Sequence, residues 1–379
     1  PSRAPAPTAT ELPPQPTAIA TTATARPLPT ATRTVLAVDP TPSATDTSPS
    51  TPTLTLPSTS TAAPTVPPVA PVPLPRGRAR LGAGVALGSI GDYPVERAGL
   101  DLGWYLNWGV QVNPPRPGGA EFWQMVRVTE AGYRPDAATI RAAAAANPGA
   151  FWIIGNEPDV IWQDDVTPEQ YAARYHELYH LLKAADPTCQ VVIGGVSQPT
   201  PLRLAYLDRV LDTYRARYGE KMPVDVWNVH AFVLREERGS WGVDIPPGMD
   251  AATGKLYEID DHDDLALFRS QMVTFRRWMA DHGERDKPLV VTEYGILMPA
   301  DYGFGPAEVR TFMEGSFDFF ATATDACIGY PRYGNRLVQW WCWYSLATSD
   351  DYYPTGNLFD PATKALTPVG QAFAAYSLP

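Results

Sequence analysis

Two short stretches of the chain decide the fold: FWIIGNEPDV at residues 151–160 and PLVVTEYGIL at residues 288–297. Each begins with a short apolar block, which is typical of a strand buried on both faces. Each block is followed by a carboxylate, Glu157 in the first stretch and Glu293 in the second. Pro158 disfavours a helix directly after the first block and predicts an extended backbone at Glu157. We therefore expect two buried strands that each present a glutamate where the strand leaves its sheet.

Short apolar blocks alternate with helical patterns from about residue 79 onward. Eight such blocks in about 300 residues predict a (β/α)8 TIM barrel, an α/β fold whose active sites lie at the carboxyl ends of the strands. A doubly wound sheet is the alternative, but GAGVALGSIGD after the first block matches a glycine-rich phosphate loop poorly, and no helix follows it. The predicted strands cover residues 81–87, 102–106, 122–128, 151–154, 191–194, 224–229, 289–292 and 337–343; the predicted helices cover residues 135–146, 204–218, 265–279 and 306–323, and one more begins after Thr167.

The first part of the chain differs in composition from the rest. Residues 1–75 consist mainly of Pro, Thr, Ser and Ala, and they contain no aromatic residue. Such a segment cannot bury enough apolar surface to offset its ordering entropy, so we predict a disordered Pro/Thr-rich stalk. Residues 76–379 contain all 11 tryptophans and form the predicted barrel domain. The stalk would tether this domain to a membrane or cell wall, and we expect an extracellular or cell-surface location.

The charge of the chain limits its partners. The formal net charge of -11 belongs to the barrel domain, because the stalk carries three arginines and three acidic residues. Nucleic acid requires a basic surface, so this acidic, aromatic-rich domain predicts a neutral ligand with apolar faces and no nucleic-acid partner. No apolar stretch reaches the roughly 20 residues of a membrane span. We expect a monomer.

No pattern in the sequence predicts a metal or a cofactor. Cys189, Cys327 and Cys342 permit at most one internal disulfide and lack the close spacing of a metal site. The acidic stretch IDDHDD at residues 259–264 has two interpretations. It would suit a calcium cluster, or it forms the acidic N-terminus of a helix that begins near Asp264, which we favour.

The two glutamates form a candidate catalytic pair. By the strand count they close the fourth and seventh strands, so in a closed barrel both carboxylates reach the same mouth from opposite sides. Cleavage of a glycosidic bond needs two such groups, one to protonate the leaving oxygen and one to attack or to activate water. A separation of about 5–5.5 Å implies a covalent intermediate and retention, whereas about 6.5–9.5 Å implies inversion.

At this point the motifs resemble a family. GNEP after the fourth strand and TEYG after the seventh are similar to the acid/base and nucleophile motifs of the clan A glycoside hydrolases, which are retaining (β/α)8 enzymes. The resemblance implies Glu157 as acid/base, Asn156 as the partner of the sugar 2-hydroxyl, and Glu293 as nucleophile. Within the clan, GWYLNWG at residues 103–109 and VDVWNVHAF at residues 224–232 are most similar to family 128, in which many members are β-1,3-glucanases. The implied substrate is therefore a polysaccharide, with β-1,3-glucan as the specific expectation.

Two residues beside the glutamates have both a functional and a structural interpretation. His230 ends the sixth strand, where the clan often places a histidine near the nucleophile, but it also fits a hydrogen-bonded core residue. Tyr294 follows Glu293 and would donate a hydrogen bond to it, or it would pack under the next loop.

Tryptophans are candidates for sugar-binding platforms. In VQWWCWYSL at residues 338–346, Trp341 and Trp343 share one strand face, while Trp340 and Tyr344 share the other. Clan A enzymes commonly place a strand-eight tryptophan under the sugar, and we predict that Trp343 has this role, since an aromatic plane suits the C–H face of a pyranose. Trp104 and Trp108 are predicted outer subsites, although most barrel tryptophans are core residues.

Three functions are compatible with this pattern. The leading hypothesis is a secreted, retaining β-glycanase. A non-catalytic carbohydrate-binding barrel is the alternative from another class, but the presence of both glutamates argues against it. A transglycosylase would use the same two glutamates, with a sugar in place of water as the acceptor.

Overall fold

The computed structural model describes residues 72–348 and 354–378, so most of the predicted stalk lies outside the described residues. Two of the four described residues at its end contact the barrel domain. Val72 packs against a cluster of aromatic residues inside the barrel. The carbonyl of Pro75 accepts a hydrogen bond from the hydroxyl of Tyr333. The domain boundary at residue 75 stays a prediction.

Parallel strands form the barrel, and the predicted TIM barrel is confirmed. Hydrogen bonds join six strands in the order β3-β2-β1-β10-β9-β8 and three further barrel strands in the order β4-β6-β7. Trp123 is the one residue between β3 and β4, and a parallel bridge between Val192 and Val226 joins β7 to the start of β8, so the two sheets close into one barrel. The short β5 pairs with β4 in antiparallel fashion. The strands are β1 (Leu81–Gly84), β2 (Trp104–Leu106), β3 (Glu121–Phe122), β4 (Gln124–Val128), β5 (Tyr133–Arg134), β6 (Phe151–Ile154), β7 (Gln190–Ile193), β8 (Trp227–Val229), β9 (Leu289–Tyr294) and β10 (Trp340–Trp343).

All five predicted helices are present. Thr167 caps α2 by accepting from the backbone N–H of Gln170, and the Gln170 side chain accepts from the backbone N–H of Thr167, as the capping pattern predicted. Within the described residues, β1 and β2 are followed by short 3-10 turns instead of α-helices, and none of the helices is long and apolar enough to cross a membrane. The helices are α1 (Ala137–Ala146), α2 (Pro168–Ala185), α3 (Pro201–Tyr218), α4 (Leu265–Asp281), α5 (Pro306–Thr322) and α6 (Pro368–Ala375).

The acidic stretch at residues 259–264 begins a helix, as we favoured. Oδ1 of Asp264 accepts from the backbone N–H groups of Ala266 and Leu267, at 2.6 and 3.0 Å, and so caps α4. His262 is buried, with Nδ1 bonded to the carbonyl of Val233. These side chains are engaged in structural hydrogen bonds, which supports the helix-start interpretation over the calcium interpretation.

Side chains fill the barrel in two layers. The outer layer lies between strands and helices, whereas the interior layer is rich in aromatic rings. Trp123 stacks on Trp104 and on Phe151, with ring centroids 4.2 and 4.0 Å apart. The glycines of β1 make room for indoles: a Cβ on Gly82 would lie 2.6 Å from Trp104, so a larger residue would clash there. The GAG sequence of β1 is therefore a packing feature.

Candidate active site

The structure brings Glu157 and Glu293 together at the mouth of the barrel, the end where the strands have their carboxyl termini. Glu157 lies just beyond β6 and Glu293 lies within β9. Their side chains are 9 % and 13 % exposed. One carboxylate oxygen from each glutamate and one ring nitrogen of His230 all lie within 4.8 Å of one another.

The backbone at Glu157 differs from the sequence-based expectation. The predicted extended conformation is wrong, because φ of Glu157 is 43°. Its N–H donates to the carbonyl of Gly195 at 3.1 Å, and its carbonyl accepts from the N–H of Val160 at 3.0 Å. These two bonds hold Glu157 in the left-handed backbone conformation, although the following Pro158 favours an extended one. Such a conformation costs about 1–3 kcal/mol outside glycine and is typical of residues at functional sites.

His230 lies in a chain of hydrogen bonds that runs from Glu157 through Thr292 to Asn228, and the directions of the bonds at Thr292 can be deduced. The N–H of Thr292 donates to Oδ1 of Asn228 at 3.3 Å, so this atom is an acceptor. The hydroxyl of Thr292 donates to the same oxygen at 2.9 Å. This hydroxyl must then accept from His230, whose Nε2 lies 3.1 Å away and therefore carries a hydrogen.

The second nitrogen of His230 faces Glu157. Nδ1 lies 2.9 Å from Oε1 of Glu157, so one proton lies between these atoms, either on the imidazole or on the carboxyl group. Burial alone would lower the pKa of His230, but the nearby carboxylates of Glu293 and Glu157 outweigh it and raise the pKa. The pair formed by His230 and Glu157 therefore retains a proton.

Glu293 is held by an indole from the opposite side of the barrel. Nε1 of Trp108 donates to Oε2 of Glu293 at 3.0 Å. Burial raises the pKa of Glu293 to about 7, and the negative charge of Glu157 adds to this effect, while His230 and the Trp108 bond oppose it. In the free site, Glu293 therefore ionises near neutral pH.

Spacing alone would allow Glu157, His230 and Glu293 to hold a metal ion. However, both nitrogens of His230 already have side-chain partners, in Glu157 and Thr292. The arrangement therefore suits proton transfer better than metal binding.

The loop that carries Asn156 and Glu157 is anchored to β4. Oδ2 of Asp164 accepts from the backbone N–H groups of Asn156 and Val128, at 2.8 and 3.0 Å, and Arg127 pairs with Oδ1. The Asn156 amide donates to Gln163 at 3.4 Å, and its buried oxygen has no hydrogen-bond partner among the described residues. The loop therefore holds an unpaired acceptor next to Glu157 in the sequence.

A buried ion cluster extends this anchor. Arg203, which is fully buried, bonds to Oδ2 of Asp159 at 2.7 Å and lies 3.0 Å from Oε1 of Glu236. It also donates to the carbonyls of Val243 and Asp244. The cluster joins the Glu157 loop to the segment of residues 235–264, which connects β8 to α4. Arg203 was not predicted, although NEPD contains its partner Asp159.

The structure does not bring every predicted side chain to the mouth. Trp343 has no exposed surface, and its Nε1 donates to the carbonyl of Gly356 at 2.8 Å. Tyr294 is equally buried, with its hydroxyl 3.4 Å from the donor Oγ of Ser316 and its ring edge-on to Trp343. Both side chains point from their strands toward the helices. In this position Trp343 offers no ring face to a sugar, and Tyr294 has no contact with the carboxylate of Glu293.

Trp104 and Trp108 have different positions. Trp104 lies in the interior layer near the amino ends of the strands, with its Nε1 donating to the carbonyl of Arg80 at 3.2 Å, so it is a core residue instead of an outer subsite. Trp108 lies at the mouth but contacts the catalytic pair directly. Tyr344, which we did not predict, places its ring 5.7 Å from that of Trp108. The alternation of faces in VQWWCWYSL could have predicted this position for Tyr344, because Tyr344 shares a strand face with Trp340, which lies in the barrel interior.

A family model described as glycosyl hydrolase catalytic core matches residues 84–243. The resemblance is to glycoside hydrolases. The matched span contains Glu157 and His230 and ends before Glu293. Among curated proteins, none matches the chain significantly.

Solved structures give the same fold. A GH128 (subgroup II) endo-β-1,3-glucanase from Sorangium cellulosum has 19 % identity and a TM-score of 0.52 over 79 % of this chain and 98 % of its own. Its counterpart from Pseudomonas viridiflava has 17 % identity and a TM-score of 0.54, with the same coverage. A GH128 (subgroup III) curdlan-specific exo-β-1,3-glucanase from Blastomyces gilchristii has 19 % identity and a TM-score of 0.52 over 79 % of this chain and 99 % of its own. The similarity to family 128 is confirmed at the level of fold, and these matches together support a glycoside hydrolase.

Proposed function

We propose that the chain is a retaining β-glycanase that cleaves β-1,3-glucan. The observation that carries the mechanism is the proximity of two buried carboxylates, with oxygens of Glu157 and Glu293 within 4.8 Å of each other. Retaining enzymes hold their carboxyl groups about 5–5.5 Å apart, whereas inverting enzymes need about 6.5–9.5 Å to admit a water molecule. The spacing fits direct attack on the sugar.

The proton between Glu157 and His230 favours Glu157 as the acid. Glu157 would give its proton to the glycosidic oxygen while a carboxylate oxygen of Glu293 attacks the anomeric carbon and the bond to the leaving sugar breaks. Glu157, now ionised, would take a proton from water, and the water oxygen would displace Glu293 from the anomeric carbon. Two displacements leave the configuration unchanged.

The electrostatics of Glu293 suit a nucleophile. Burial disfavours its charged form in the free site, as its pKa of about 7 indicates. The transition state carries positive charge on the sugar ring next to this carboxylate. A carboxylate that lacks full solvation in the free site interacts strongly with that charge, because water does not screen the interaction.

The substrate is inferred from the fold relatives and from the cleft. The two subgroup II relatives are endo-β-1,3-glucanases, and a subgroup I relative from Amycolatopsis mediterranei is in complex with laminarihexaose. In this chain, the oxygen of Asn156 has no hydrogen-bond partner among the described residues and would accept from a sugar hydroxyl after rotation of the side chain. The folded segment of residues 235–264, with Trp241 packed on the cluster around Phe232 and Val243, would form one wall of the cleft.

The test compares substrates and follows stereochemistry. The full chain is incubated with laminarin, linear β-1,4-glucan, mannan, xylan and galactan, and proton NMR records which anomer of the product forms first. We expect fastest cleavage of laminarin and initial formation of the β-anomer. An initial α-anomer would overturn retention, and a preference for a β-1,4-glycan would overturn the substrate.

Two further outcomes correspond to the alternatives. Binding of laminari-oligosaccharides without any cleavage would favour the non-catalytic barrel. Products longer than the starting oligosaccharide would favour a transglycosylase.

A further inference from the structure

A second cluster of side chains lies on the outside of the barrel, away from the catalytic pair. His176 and His180 are on α2, and Glu220 follows the end of α3. One donor atom from each of these three side chains lies within 4.8 Å of the others. Because the barrel helices run opposite to the strands, the end of α3 lies toward the face opposite the mouth. The cluster is therefore independent of the proposed glycanase function.

The two histidines have the spacing of a helical chelate. Residues four apart on a helix project side by side from the same face. Their rings contact edge to face, with centroids 4.4 Å apart. His180 and Glu220 are exposed, so their side chains can rotate toward a shared ligand without disturbing the core.

His176 is held in place by two tyrosines of α3. Its Nδ1 lies 2.9 Å from the hydroxyl of Tyr214, and its ring stacks on Tyr218 at 3.6 Å with an interplanar angle of 4°. When Nδ1 carries the hydrogen and donates it to Tyr214, the lone pair lies on Nε2. Histidines that bind metals usually have this kind of partner on the second nitrogen, which fixes the ring and the tautomer.

We propose that His176, His180 and Glu220 bind one Zn²⁺ ion, with water as the fourth ligand. Two imidazoles and one carboxylate suit zinc and related transition metals, whereas calcium and magnesium prefer oxygen ligands alone. Ligand atoms around a tetrahedral zinc ion lie roughly 3.4 Å apart, given Zn–N bonds of about 2.0–2.1 Å. The present separations are all within 4.8 Å, and rotation of the exposed side chains of His180 and Glu220 would shorten them.

The ion would join α2 to the segment that follows α3. A ligand that binds only the folded state stabilises it, and the stabilisation grows with the logarithm of the ligand concentration. Zinc would therefore raise the unfolding temperature of the barrel domain without contacting the mouth.

The experiment uses the full chain, free of any histidine tag and treated with chelator, with Cys327→Ser to remove the exposed thiol. Calorimetric titration with ZnCl2 should give one saturable site, and zinc should raise the unfolding temperature. His180→Ala should weaken zinc binding at least tenfold and abolish the thermal shift. His282→Ala, a histidine outside the cluster, is the matched control and should bind zinc like the parent.

Two further variants test the site independently of His180→Ala. Glu220→Gln removes an exposed carboxylate and should also weaken binding, which covers the case in which His180→Ala fails to fold. Tyr214→Phe removes the hydroxyl that holds His176 and should weaken binding about 10–100-fold. The absence of saturable zinc binding, or binding that His180→Ala and Glu220→Gln leave unchanged, would overturn the proposal.

Discussion

At the amino ends of the strands the barrel interior contains stacked aromatic rings, whereas at the carboxyl ends it contains buried ionisable groups. Trp123 packs between Trp104 and Phe151 in the first region, which we call the aromatic layer. Glu157, His230 and Glu293 occupy the second region, which we call the catalytic layer after its proposed role. The same strands enclose both regions. Burial of the apolar rings in the aromatic layer is favourable, whereas burial of the ionisable groups in the other region costs free energy unless they find partners.

The difference separates stability from function. The catalytic layer includes a left-handed glutamate and a carboxylate whose pKa burial raises, and both features cost folding free energy. The aromatic layer has neither feature and contributes apolar burial. Substitutions in the catalytic layer should therefore change activity and spare the fold, and substitutions in the aromatic layer should do the reverse.

Glu293→Gln gives the largest expected effect. It removes the proposed nucleophile and keeps its shape, so kcat on laminarin should fall on the order of 10⁴-fold or more, with the fold retained. Initial rates and circular dichroism measure the two properties. Glu308→Gln, in an exposed position of α5, is the control and should leave both unchanged. Near-normal turnover by Glu293→Gln would refute the role of Glu293.

Trp123→Ala should have the opposite effect. Loss of a fully buried tryptophan leaves a cavity among Trp104, Phe151 and Trp340, which should lower the free energy of unfolding by about 3–5 kcal/mol. Denaturant titration measures this value, and the activity of the protein that remains folded should be close to that of the parent. Trp162→Ala, which removes a ring that is 45 % exposed, should have little effect on stability. Equal losses in the two variants would contradict the assigned aromatic layer.

The strands, most helix starts and both glutamates could be predicted because they depend on local patterns. The predictions for Tyr294 and Trp343 failed because they assumed the wrong strand face. Neighbouring residues on a strand point to opposite faces, so Tyr294 cannot share the mouth with Glu293. Trp343 pairs with Tyr294 across the two strands and lies on the same outer face. The sequence contained this information, but choosing the inner face of β10 required its register against β9, because both faces of that strand are aromatic.

Other contacts could not be read from local patterns. Trp108 and Glu293 are 185 residues apart, and their hydrogen bond depends on closure of the whole barrel. The same holds for Arg203 on α3, whose partners come from the loop after β6 and from the segment of residues 235–264. Such contacts are decided by tertiary packing, which residue spacing does not specify.

The pH dependence of stability should distinguish Glu293→Gln from the parent. The folded-state pKa of Glu293 is raised from 4.5 to about 7, so between these values the folded state keeps a proton that the unfolded state releases. Parent stability contributed by this group is present below pH 4.5 and is lost as the pH rises through 7. The amide variant avoids this loss, so its stability relative to the parent should increase between pH 4.5 and pH 8 by about 3 kcal/mol. Denaturant titrations at pH 4.5 and 8 test this; a constant difference would contradict the raised pKa.

Trp108→Phe should have a smaller effect on the same carboxylate. The indole N–H stabilises ionised Glu293, so its removal should raise the pKa of Glu293 further. The acidic limb of the profile of kcat/KM against pH should move upward, with a loss of about tenfold in kcat at neutral pH. A rise in KM with an unchanged pH profile would instead indicate that Trp108 acts only as a sugar platform, the role that the sequence suggested.

The smallest expected change in stability follows truncation of the chain at its amino-terminal end. It tests whether the residues just before the barrel contribute to the aromatic layer. Val72 packs against this layer, and the Pro75 carbonyl accepts a hydrogen bond from Tyr333, so both residues contact the barrel domain. The composition of residues 1–71 offers no aromatic or periodic apolar surface for docking. Deletion of residues 1–71 should leave the unfolding temperature and activity on soluble oligosaccharide unchanged, whereas deletion of residues 1–75 should lower the unfolding temperature by about 2 °C or more. Differential scanning calorimetry of the two truncated proteins makes the comparison. A large loss in the shorter deletion would mean that the Pro/Thr-rich segment packs on the barrel, and equal temperatures for both would mean that residues 72–75 add nothing to the aromatic layer.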